Sequence, residues 1–79
     1  MDIVYSKKVV KYIKALDVIT AKRLQKSIER IPEGDIKKLQ GRENEYRLRV
    51  GNLRVLYKMK GVIICITAIL PRGQAYKRL

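Results

Sequence analysis

At 79 residues the chain has room for one domain, expected to span 1–79, and a domain this small buries only about 60% of its unfolded surface, which leaves no room for a second module. Nineteen Lys and Arg against seven Asp and Glu give a formal net charge of +12, a self-repulsion that costs folding energy and points to nucleic acid, an anionic membrane or an acidic protein as partner. With no histidine and one cysteine, Cys65, the chain lacks the usual ligands of zinc and other transition metals and cannot form an internal disulfide, so neither metal nor cofactor is expected.

The N-terminus carries neither the basic stretch nor the long apolar stretch of a signal peptide, and no run approaches the roughly 18 apolar residues that span a bilayer. A cytoplasmic protein with no membrane partner is expected. Residues 2–5 alternate polar and apolar side chains, the pattern of a short strand near a sheet edge. Ser6 then caps a helix over 7–16, in which Val9, Tyr12, Ile13 and Leu16 recur at three- and four-residue spacing. Asp17 or Thr20 caps a second helix, with Ala21, Leu24, Ile28 and Ile31 in phase, until Pro32, Glu33, Gly34 and Asp35 end it. The two form a helical hairpin laid over a sheet, with their lysines and arginines in solvent. Residues 36–41 read as a connecting loop whose Ile36 and Leu39 tuck into the core, and 42–45 as a polar approach to the next strand.

From Tyr46 onward every charged side chain is a cation. The stretch 46–57 alternates cation and aliphatic residue, turns at Gly51-Asn52 and alternates again, as in a β-hairpin with one apolar face and one arginine face. Tyr46, Leu48, Val50, Val55 and Tyr57 belong to the apolar face; Arg47, Arg49 and Arg54 belong to an exposed face with no acid among them. Lys60-Gly61 makes the next turn. Residues 62–70 are almost wholly apolar, which predicts a central strand covered on both faces with Cys65 as a buried small hydrophobe, and this strand delivers 71–76 to a place beside the hairpin. The class is therefore α+β in the order β-α-α-β-β-β, an antiparallel sheet with two helices on one face. Strand one lies near the start of the sheet order, its partner left open.

Brought together, Arg47, Arg49, Arg54, Arg72 and Tyr76 form a phosphate clamp with an aromatic edge. Guanidinium forks bind phosphate oxygens bidentately and stay charged at any cellular pH. Tyr76 can stack on a base or pass a proton. Lys37, Lys38, Arg42, Lys58, Lys77 and Arg78 are expected to add contacts to an RNA backbone. RNA cleavage needs no metal when the 2′-OH attacks the adjacent phosphate, but from residue types alone binding without cutting is the safer reading, and Arg54 could instead pair with Glu45 or Glu43.

The run of residues 31–41, I-P-E-G-D-I-K-K-L-Q-G, followed by 46–57, Y-R-L-R-V-G-N-L-R-V-L-Y, closely resembles the RelE toxins of the RelE/ParE superfamily, and the ending from Arg72 to Tyr76 matches too. The resemblance covers essentially the whole chain. It implies a microbial-ribonuclease-like fold and an mRNA interferase: a metal-independent endoribonuclease that enters the A site of the 70S ribosome, cleaves the exposed mRNA codon and stops translation. It also implies a small acidic RelB-like antitoxin as partner, with no direct DNA binding except through that antitoxin. Arg47 and Arg49 match basic strand positions, Arg54 the transition-state-stabilising arginine, Arg72 the arginine after the last strand, and Tyr76 the base-stacking tyrosine. Arginine is too basic to accept a proton, which leaves Arg47 and Arg49 as a clamp. The related YoeB toxins place a glutamate and a histidine where this chain has Lys37 and Ala75, so a carboxylate base of that type is not expected. The chain stops soon after Tyr76, leaving little room for the C-terminal helix of some relatives, so masking of the basic surface or distortion of the loop bearing Tyr76 is the expected mode of neutralisation. Two other readings remain: a ParE-like toxin that poisons DNA gyrase without nuclease activity, and a non-catalytic basic RNA-binding module.

Overall fold

The computed structural model describes residues 2–71. They run β1 (Asp2–Tyr5), α1 (Lys7–Lys14), α2 (Val18–Glu29), β2 (Asp35–Lys38), β3 (Glu45–Val50), β4 (Leu53–Lys60) and β5 (Ile63–Pro71). Each helix begins where a side-chain oxygen replaces the missing intrahelical acceptor. Ser6 holds extended backbone and its hydroxyl accepts the Val9 N–H at 3.2 Å; Asp17 does the same for Thr20 at 2.9 Å, so Asp17 is the second cap. The hydrogen bonds from Thr20 hold the Asp17 carboxyl below its usual range. Helix α1 ends at Lys14, two residues before the apolar periodicity runs out at Leu16, and is closed by Ala15, whose N–H reaches the carbonyls of Tyr12 and Ile13.

Both helices lie on one face of the sheet, α1 over β5 and α2 over β3. Val9, Ile13, Leu24 and Ile28 pack there against Leu48, Val50, Val55, Tyr57, Ile64, Ile66 and Ile69. Each aliphatic side chain buried fully in such a layer contributes about 1.5–3 kcal/mol. The helix cations remain exposed, as their spacing predicts.

The strand order is β1-β5-β4-β3-β2. The first strand is an edge, and its partner is β5 in parallel register, Asp2 beside Ile63 through Tyr5 beside Ile66, while every other pairing is antiparallel. The segment expected to be a loop after the helices contains a strand: Asp35–Lys38 pairs with β3, Asp35 opposite Arg49 and Lys38 opposite Tyr46. Four residues that include an aspartate and two lysines carry little intrinsic strand preference, so pairing with β3 imposes the conformation. Gly34 makes the approach possible. Its φ is +124°, and a Cβ there would meet Leu48 Cδ1 at 3.1 Å.

Strand β5 is interior, as its apolar run predicts, but it is not covered evenly. Ile64, Ile66 and Ile69 face the helices. The register slips so that Tyr57 pairs with Ile66 and Leu56 with Ala68, leaving Thr67 as the extra residue of a bulge, its hydroxyl donating to the Leu56 carbonyl at 3.1 Å. The bulge changes the phase of the alternation and turns Ala68 and Leu70 to the far face beside Leu56. Toward the start of the strand that face is more open: Ile63 and Thr67 are exposed and Cys65 is half-buried, rather than enclosed as expected. None of the described helices is long and apolar enough to cross a membrane.

Candidate nucleic-acid interface

The face of the sheet turned away from the helices carries the arginines. Alternation along β3 sends Leu48 and Val50 to the core and Arg47 and Arg49 to the other side, and β4 returns antiparallel after a turn in which Gly51 takes φ +57°. Arg49 stands directly across from Arg54, and Arg47 from Leu56. Three guanidinium groups are thereby gathered on two adjacent strands.

They are not equally open, which corrects the expectation of a fully exposed platform. Arg49 is exposed, whereas Arg47 is 5% and Arg54 2% accessible. Arg54 lies on β4 between Arg49 on one side and Leu70 on the other, and donates from Nη1 to the Leu53 carbonyl at 3.4 Å. Arg47 sits between Leu56 and Lys37. Like charges directly opposite one another in a sheet are destabilising, and burial raises the cost because a guanidinium cannot shed its charge.

The missed strand also changes the composition of the face. Asp35 and Lys37 share a side of β2 and stand opposite Arg49 and Arg47 respectively. Asp35 Oδ1 lies 3.7 Å from Arg47 Nη2. The arginine face, read from the sequence as free of acids, thus contains a carboxylate at its edge. The available signal was the phase of Asp35-Ile36-Lys37, alternating polar and apolar about Ile36, which is half-buried against the core.

The remaining candidates divide. Lys58 is on the arginine face, between Glu45 and Cys65, farther along the sheet. Arg42 pairs with Glu45 at 3.7 Å. Arg54 is four residues from Lys58, the partner of Glu45, or about 13 Å along the strand, so an Arg54 to Glu45 pair is not formed. Lys38 lies on the other side of β2, opposite Tyr46, away from the arginines. Arg72, Tyr76, Lys77 and Arg78 lie outside the described residues. Tyr46 and Tyr57 stack on the helix side with ring centroids 5.3 Å apart and planes 17° from parallel. Burial, helped by the neighbouring Tyr46, pushes the Tyr57 hydroxyl up to about 12, which removes it as a proton acceptor at cellular pH.

Comparison with known proteins agrees with this geometry. The model of the ParE toxin of type II toxin-antitoxin systems, parDE, matches residues 3–76. Toxin RelE3 of Methanocaldococcus jannaschii is 32% identical over 84 residues, covering 96% of this chain and 96% of that protein. Among solved structures, the toxin-antitoxin complex RelB-RelE from Methanococcus jannaschii contains a chain that matches with a TM-score of 0.78 at 30% identity, over 96% of this chain and 98% of that one. The archaeal RelE-RelB complex from Pyrococcus horikoshii OT3 matches with a TM-score of 0.73 at 30% identity, over 92% and 96%. The coverage is near complete in each case and the arginine-bearing hairpin lies inside every match, so this chain belongs to the RelE/ParE family, as a RelE-type toxin of type II toxin-antitoxin systems.

Proposed function

We propose that this toxin is a metal-independent endoribonuclease that cuts mRNA in the ribosomal A site and so arrests translation. The observation that carries the reading is the convergence of Arg47, Arg49 and Arg54 on one face, two of them buried, with no histidine in the chain to support a conventional acid-base pair. Such a clamp holds a scissile phosphate between fixed cations and neutralises the charge that builds as the 2′-oxygen attacks. Arg72 and Tyr76 complete the site by the resemblance of the chain's end to RelE toxins, Tyr76 stacking on a base. Lys37 and Lys58 extend the backbone contacts.

The partner is a small acidic antitoxin of RelB type, which covers the basic face; the two RelE relatives were solved as complexes with RelB. Its affinity should fall as salt rises, since opposite charges meet across the interface. The decisive experiment is translation of a defined mRNA on purified ribosomes with added toxin, cleavage positions being mapped by primer extension. Cuts in register with codons, seen only with ribosomes and abolished by Arg72→Ala or Tyr76→Phe, are the expected result. A second reading, a toxin that poisons DNA gyrase by protein contact, is favoured by the ParE family match. Gyrase-dependent DNA breaks without RNA cleavage would establish it instead.

A further inference from the structure

Asp35 opens an edge strand, and its side chain is 56% accessible. Among the described residues the charged groups beside it on the sheet are cations: Lys37 on its own strand, and Arg47 and Arg49 on β3, the strand that pairs with β2. Its carboxylate is in ion-pair contact with Arg47. Arginine cannot give up its proton to become a base, and Tyr46 and Tyr57 lie on the opposite face. Glu45 sits beside Lys58 and Arg42, and Asp2 is on the far edge strand. Glu33 lines a cavity with Arg49 but pairs with Arg30 at 3.8 Å, so among the described residues Asp35 is the carboxylate ion-paired with an arginine of the clamp.

We infer that Asp35 accepts the proton of the attacking 2′-OH, an inference that rests on the ribonuclease reading above. A phosphate gripped by Arg47 occupies the same neighbourhood as the Asp35 carboxylate, and the 2′-oxygen of the preceding ribose lies within about 3–3.5 Å of that phosphorus in a reactive conformer. The 2′-OH proton passes to the carboxylate as the 2′-O–P bond forms. The P–O5′ bond breaks, and the 5′-oxygen leaves with the bonding pair and takes a proton from water. The Asp35 carboxyl then returns its proton to the hydroxide left behind, so the products are a 2′,3′-cyclic phosphate and a 5′-OH end with no net consumption of water.

The test uses the full chain with ribosomes programmed with a defined mRNA, under single-turnover conditions across pH. Asp35→Asn is expected to slow cleavage by about 10²-fold or more and to flatten the acidic limb along which the wild-type rate rises with pH. The variant should bind programmed ribosomes as tightly as wild type or more tightly, because it removes a negative charge from a basic face. Asp35→Glu should recover most of the rate together with the limb. Cleavage by Asp35→Asn within a few-fold of wild type would overturn the inference, as would a slow variant that keeps the wild-type pH profile, since that marks a residue that only positions Arg47. A wild-type toxin that leaves ribosome-bound mRNA intact would instead overturn the ribonuclease reading itself.

Discussion

The two faces of the five-stranded sheet bury side chains by opposite chemistry. On the helix face, Leu48, Val55, Tyr57, Ile64 and Ile66 lose water to one another and to Val9, Leu24 and Ile28, a gain complete within the chain. On the other face, Arg47 and Arg54 are nearly as inaccessible, yet they are cations beside Arg49 and Lys37. One face is built of apolar contacts, and the other gathers cations around the Asp35 carboxylate. The lesson is that β3, a strand of six residues, carries stability and recognition on alternate positions, so the two properties can be separated by mutating neighbours.

The largest expected effect comes from the helix face. Leu48→Ala removes a fully buried side chain between α2 and the turn at Gly34, and should cost about 2–5 kcal/mol in denaturant unfolding. Its neighbour Arg49 is exposed, and Arg49→Ala should leave stability within about 0.5 kcal/mol while slowing ribosome-dependent cleavage by roughly 10²-fold. If Arg49→Ala instead lowers the melting temperature as much as Leu48→Ala, the division of labour between the faces is wrong.

A subtler separation uses pH. Burial pushes the Tyr57 hydroxyl up to about 12 in the folded chain, against 10.0 for an ordinary tyrosine. The native state therefore binds that proton more tightly than the unfolded chain, so this contribution to stability is complete below pH 10 and is lost as pH rises toward 12. Unfolding curves across that window should show the decline, and Tyr57→Phe should reduce its slope while leaving RNA cleavage at neutral pH in place. The smallest effect is expected outside both faces: Ser6→Ala loses the cap of α1 and about 1 kcal/mol, measurable by thermal melting, with toxicity unchanged.

The helices and the central hairpin were legible because each is specified locally. Ser6 and Asp17 are capping residues at the start of apolar runs with helical spacing, and the alternation of 46–57 about Gly51 assigns every side chain of the hairpin to a face. Strand β2 was not legible, because Asp35-Ile36-Lys37-Lys38 becomes extended through hydrogen bonds to β3 that no local preference announces. The same cause hid Asp35 from the site. The burial of Arg47 and Arg54 was hidden for a related reason: cation-aliphatic alternation says which face a residue takes, not what stands beside it on neighbouring strands.

The amino-acid order alone settled the net charge and the Ser6 cap and, through periods of 3.6 and 2, the α+β class, the apolar layer and the gathering of Arg47, Arg49 and Arg54 on one face of a hairpin; the choice of Asp17 over Thr20 as second cap came from the structure. Tertiary structure decided the parallel seating of β1 on β5, the bulge at Thr67 that turns Ala68 and Leu70 to the arginine side, and the ion pair of Asp35 with Arg47. These depend on contacts between residues distant in the chain, and pairing of that kind is a property of the whole sheet.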